Sequence, residues 1–149
     1  MKVMIATDGS DAAIEAAERA VQLLRSDATI VLLTVIPDYE DPMETAGGIE
    51  GPALTEQEAD REYHEHLDQG QAALDKTAMS VHHDVEVRLV PADTEPGHAI
   101  VSAAQEVGPD LVVIGSSGKK LFRRLFTGSI SDYVVHHAPC PVLVVRHDH

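Results

Sequence analysis

The 149-residue chain reads as an α/β protein built on an open parallel sheet. Three observations predict this class. Short apolar segments alternate with longer amphipathic ones, two of the apolar segments are continuous rather than alternating in polarity, and Gly, Pro or Asp clusters punctuate the joins. A continuous apolar run suits a strand covered on both faces, and strict alternation with helices gives parallel strands joined by right-handed crossovers.

Strand one is Lys2–Thr7, short and rich in apolar residues, and it runs into Asp8-Gly9-Ser10, a turn-and-cap cluster. From Ser10 or Asp11 onward, Ala13, Ile14, Ala17, Ala20, Val21 and Leu24 recur at helical spacing, opposite Glu15, Glu18, Arg19 and Gln22. That pattern predicts a first helix of about four turns. Ala28–Ile36 is wholly apolar apart from threonine and predicts a central second strand. Pro37–Ala53, with Pro42, Pro52 and three glycines and no period, is the one long loop.

Thr55-x-x-Glu58 has capping-box spacing and predicts a second helix to about Met79. Val85, Val87 and Leu89 alternate with Glu86 and Arg88, so the third strand has one wet face or lies at an edge. Pro96 suits the first turn of a helix to Glu106 with Ala99, Ile100, Ala103 and Ala104 inward, and Gly108-Pro109 stops it. Leu111–Ile114 is the fourth strand; Ser129-x-x-Asp132 opens a last helix to about His137; Val142–Val145, after Pro141, is the fifth strand. No repeat or linker divides the chain, and the expectation is one domain over residues 1–149.

Composition narrows the function classes. Apolar residues make up 44% but aromatics only 3%, so the core must be aliphatic. The formal net charge of −14 opposes binding to a phosphate backbone, and few rings exist to stack on bases, which argues against DNA or RNA as partner. Cys140 is the single cysteine, which excludes an intrachain disulfide framework and suits the cytoplasm. No stretch approaches the ~20 apolar residues of a membrane helix, so no membrane partner is expected.

In an open parallel sheet, ligands sit beyond the carboxyl ends of the strands, where the winding reverses. The loop after strand four holds Gly115, Gly118, Gly128 and Ser129, around Lys119, Lys120, Arg123 and Arg124. Glycines let backbone N–H groups approach phosphate oxygens, and Ser129 can cap the next helix while donating its hydroxyl. The four cations make an acidic chain locally basic, which attracts a polyphosphate. From the residues alone two readings stand: a phosphate cradle, or glycines that permit turns beside cations that offset nearby acids.

The opening KVMIATDGS, the element order, the G-x2-G-x9-G-S set and the closing CysProValLeuValVal together resemble the universal stress protein family along the whole chain. The resemblance implies a Rossmann-like fold with five strands in the order 3-2-1-4-5 and helices on both faces. It also implies binding of ATP or a related nucleotide (ADP or AMP), with Mg2+ or Mn2+ carried by the phosphates, and homodimerisation. Carried over by residue, the adenine site falls on Ala6, Thr7, Asp8 and Val35. Ribose and phosphate contacts fall on Ile114, Gly115, Ser116, Ser117, Gly118, Lys119 and Lys120, and on Gly128, Ser129 and Ile130. Ala6 stands where some nucleotide-binding relatives have proline.

Other candidates carry less. Asp8 ends strand one at the mouth of the crevice, where it can accept from an adenine amino group or help hold a divalent ion; Asp-Gly-Ser is also ordinary turn chemistry. The histidine pairs His64/His66, His82/His83, His136/His137 and His147/His149 lack the i,i+4 spacing of helical metal ligands and read as solvated surface. Cys140 has no CxxC partner and reads as structural. There is no G-x-S-x-G elbow or Walker lysine motif, and Ser129 has no identifiable base, so binding is favoured over turnover. The alternatives are a nucleotide hydrolase or nucleotidyl-transferring enzyme of the same fold, or a dimeric stress protein without nucleotide that acts through partner contacts. Val142–Val145, an apolar strand at the sheet edge in the implied order, is the expected dimer contact, pairing antiparallel with a second copy.

Overall fold

The structure is a computed structural model in which residues 1–43, 55–116 and 130–146 are described. Along the chain run β1 (Lys2–Ala6), α1 (Asp11–Leu23), β2 (Thr29–Pro37), α2 (Glu56–Val81), β3 (Val85–Ala92), α3 (Pro96–Val107), β4 (Leu111–Ser116), α4 (Ile130–His137) and β5 (Val142–Arg146). The strands form one parallel five-stranded sheet in the order β3-β2-β1-β4-β5, bearing out the α/β class and the implied topology.

Alternation of side chains along the inner strands sorts the core into two layers. Val3, Ile5, Ile30, Leu32 and Val113 pack on one face against Ala16, Ala17 and Ala20 of α1 and Leu74 and Val81 of α2. Met4, Val31, Leu33, Val112 and Ile114 pack on the other against Ile100, Ala103 and Ala104 of α3 and Val134 of α4. Each helix pair thus covers one face. Both layers are aliphatic, as the scarcity of aromatics requires. Ala16, absent from the sequence-predicted inward set, is buried because small residues let α1 approach the sheet closely.

The ends of elements differ from expectation where tertiary contacts take over. β1 stops at Ala6, one residue short: the Thr7 N–H still donates to the Leu33 carbonyl at 2.8 Å, and among the described residues no further backbone bond to β2 follows it. β2 runs through Pro37. That is permitted because Leu33 accepts from Thr7 on one side while the Asp38 N–H donates to Ala92 on the other, so odd-numbered residues turn their main-chain groups toward β1, which has already ended. β4 continues two residues past Ile114, since Gly115 and Ser116 pair with Val145 and Arg146 of β5. α2 reaches Val81 and closes on His82 in the left-handed region at φ 49°, a conformation that no local signal announced.

At helix starts the local rules hold. Ser10 accepts from the Ala13 N–H at 3.2 Å, and Thr55 and Glu58 form the full capping box. The predicted Ser129 start of the last helix lies outside the described residues, as do residues 44–53 of the long loop. β3 is an edge strand, consistent with its alternating pattern, and β5 is the other edge.

Candidate functional site

β1 and β4 are neighbours in the sheet, while the helices that follow them lie on opposite faces. The winding reverses between them, and a crevice opens there beyond the strand ends. Its volume is about 290 Å³, near the lower limit of small-ligand sites. The floor is Ala6 and Thr7 of the first strand end, Leu33 to Val35 of β2, and Ile114 to Ser116 of β4. Asp8 and Ser10, with Ala12 and Ala13 of α1, make one wall; Pro96 and Ile100 of α3, with Ile130 and Ser131 of α4, make the other.

Sequence reasoning placed Ala6, Thr7, Asp8, Val35, Ile114, Gly115, Ser116 and Ile130 at the site, and the fold brings all eight to this crevice. Ser117, Gly118, Lys119, Lys120, Gly128 and Ser129, with Arg123 and Arg124, lie outside the described residues. Ala12, Ala13, Leu33, Thr34, Pro96, Ile100 and Ser131 also line it and are not among the residues expected from the sequence. Their signal was present in part, since the starts of the first and third helices must face the switch point once the strand order is known.

Individual groups differ in what they offer. The Thr7 hydroxyl is turned away from the crevice: it lies 2.9 Å from the Thr77 hydroxyl, which itself donates to the Ala73 carbonyl at 2.8 Å. With the Thr77 proton so used, Thr7 is the donor between them, and its oxygen accepts the Gly9 N–H at 3.1 Å. Thr7 therefore contributes backbone rather than hydroxyl to a ligand. Asp8 is exposed, with one carboxylate oxygen accepting from the Ser10 N–H at 2.9 Å. Its other oxygen has room for a ligand donor.

Val35 offers its main chain. Leu33 spends its carbonyl on Thr7, and two residues further the N–H and C=O of Val35 point to that same side, past the end of β1. Among the described residues no backbone group pairs with them. A donor and an acceptor a few ångströms apart on one strand edge match the edge of a purine, which carries ring nitrogens beside an exocyclic group.

Gly115 has a role that loop reasoning did not supply. It sits within β4, and a Cβ built on it would lie 3.3 Å from the Ala16 Cβ and 3.9 Å from the Ala12 carbonyl oxygen. The glycine lets α1 lie close against the strand end. This packing need stands beside any contact with phosphate.

The surface reading of the histidines fits His64, His136 and His137, which are exposed, and not His66, whose Nδ1 is buried without a hydrogen-bond partner among the described residues. His64, His136 and His137 each direct Nδ1 to the carbonyl four residues back, at 2.7, 2.6 and 2.9 Å. Among the described residues no helix is long and apolar enough to cross a membrane.

Compared with known proteins, the chain matches the universal stress protein family over residues 1–146. A universal stress protein of Methanocaldococcus jannaschii is 31% identical over 150 aligned residues, which cover 97% of this chain and 81% of the relative. The crystal structure of a universal stress protein in complex with cAMP is similar at a TM-score of 0.64 and 24% identity, covering 99% of this chain and 98% of that one. The crystal structure of an Arabidopsis thaliana family protein with AMP bound gives a TM-score of 0.67 at 21% identity, over 99% of this chain and 92% of that one. The structural likenesses speak for the fold, and the match along nearly the whole sequence speaks for descent. The chain belongs to the universal stress protein family.

Proposed function

We propose that this chain is an adenine-nucleotide-binding universal stress protein whose occupancy by ATP, or by ADP or AMP, serves as a signal or stabiliser in a stress response. The observation that carries the reading is the crevice at the switch point, with the Val35 N–H and C=O, unpaired among the described residues, on its floor and the strand end at Gly115 and Ser116 on its far side. Support comes also from the two similar structures, one described with cAMP and one with AMP. An adenine laid against Val35 would direct its ribose across Ile114 and Gly115 toward Ser116, after which the sequence carries Gly118, Lys119, Lys120, Gly128 and Ser129 as the proposed phosphate contacts.

The residues fit such a ligand: apolar side chains of Ala6, Leu33 and Ile100 can flank a ring, and the exposed Asp8 carboxylate can accept from an amino group. Mg2+ or Mn2+ would enter through the phosphates. We place the protein in the cytoplasm on its single cysteine, and pair it as a homodimer through Val142–Val145. β5 is an edge strand of the described sheet with Val144 37% exposed, and the main chain of such an edge can pair with a second copy. The nucleotide reading is tested by denaturing the purified protein and identifying any released small molecule by mass spectrometry, with calorimetry for adenosine, AMP, ADP and ATP. An adenine nucleotide in the released fraction, with no ADP formed from ATP over hours, is expected. Turnover would instead select an enzyme, and absence of binding with an intact dimer a partner-directed protein. A monomer by light scattering at micromolar concentration would end the proposed pairing.

A further inference from the structure

Three threonines are buried among the described residues, Thr7, Thr34 and Thr77, and two of them meet although they stand 70 residues apart in sequence: Thr7, 7% exposed, and Thr77, fully buried. Valine would fill either volume without the need for partners, and buried hydroxyls are costly unless bonded. Both are bonded. The Gly9 N–H donates to Thr7, Thr7 donates to Thr77, and Thr77 donates to the Ala73 carbonyl one turn back on α2. Gly9 itself lies against Ala73, which shares a helix face with Thr77. The loop from Thr7 to Ser10 is thus fastened to α2 at two successive turns, and between the fastenings stands Asp8, exposed at the crevice.

We propose that Thr77, which does not itself line the crevice, is a positioning residue for it: its hydroxyl holds the Thr7–Ser10 loop so that Asp8 and the end of β1 present a fixed surface to the ligand. The ligand part of this rests on the nucleotide reading. Without the Thr77 acceptor, the Thr7 hydroxyl must turn elsewhere, the Gly9 N–H loses its oriented partner, and the loop loses one of its two attachments.

The test compares wild type, Thr77→Val and Thr77→Ser. Amide exchange at Gly9 is followed by NMR against Val31 in the core, and adenosine and AMP are titrated by calorimetry. Thr77→Val is expected to speed exchange at Gly9 about three- to tenfold relative to Val31 and to weaken adenosine and AMP equally, each about three- to tenfold, as for one lost hydrogen bond. Thr77→Ser is expected to restore both. Equal acceleration at Gly9 and Val31 would mean a merely structural role and overturn the proposal. So would unchanged Gly9 exchange, or unchanged affinity despite a looser loop. Wild type that binds neither adenosine nor AMP would remove the nucleotide reading, while Gly9 exchange would still decide whether Thr77 anchors the loop.

Discussion

A Cβ built on Gly9 would lie 2.7 Å from the Ala73 Cβ and 2.8 Å from its Cα, so the loop after β1 and helix α2 meet where no side chain fits. Gly9 also holds φ at +75°, which L side chains rarely adopt. Strain and overlap therefore add. Gly9→Ala is expected to cost about 2–4 kcal/mol in denaturant unfolding, the sum expected of a left-handed alanine and an overpacked contact. A change within about 0.5 kcal/mol would show that the loop relaxes freely.

The Gly115–Ala16 contact is looser and should behave differently. Gly115→Ala puts a methyl 3.3 Å from the Ala16 Cβ, so α1 must yield by a few tenths of an ångström. The expected cost is about 1 kcal/mol. In a double-mutant cycle with Ala16→Gly, the two changes should couple favourably, because the second removes the methyl that the first meets. Strict additivity would place the strain elsewhere.

For α2, the capping box at its start is a local device with a local cost. Thr55→Ala removes the acceptor of the Glu58 N–H, which lies 3.1 Å from the threonine hydroxyl. A loss of about 1 kcal/mol in unfolding free energy is expected. No loss would mean that the first turn contributes nothing to stability.

Cys140 tests the reading of a structural thiol. Burial raises its pKa above the ordinary thiol value, Asp110 adds to the rise, and a hydrogen bond with the Val112 backbone partly opposes it. With the folded pKa raised, the neutral thiol is favoured, so its small contribution to stability is present at neutral pH and is lost as pH rises through the folded pKa. Alkylation by iodoacetamide should be slower in the folded protein than in urea, and its rate should climb at higher pH. Equal pH profiles in the two states would contradict this.

The glycine segment beyond Ser116 supplies a test from sequence alone. Gly118→Val puts a β-branched side chain where a backbone amide is proposed to meet phosphate, so ATP binding should vanish in calorimetry while the circular dichroism spectrum stays native. Unaltered affinity would identify the wrong loop.

Much of this protein was written in local pattern. The continuous runs at Ala28–Ile36 and Leu111–Ile114 marked buried strands, and the Ser10 and Thr55 caps marked helix starts, because burial on both faces and capping act over a few residues. The family resemblance supplied the strand order and eight residues that now line the crevice. Tertiary structure decided what depends on residues distant in sequence. Thr7 spends its hydroxyl on Thr77, Gly9 is required by Ala73, and Gly115 belongs to β4 because β5 pairs with it and α1 presses on it. Hydrophobic periodicity tells each segment which face to bury, since that depends on its own residues; which atoms then meet across the layers depends on how the segments dock, and that is settled only when the whole sheet is assembled.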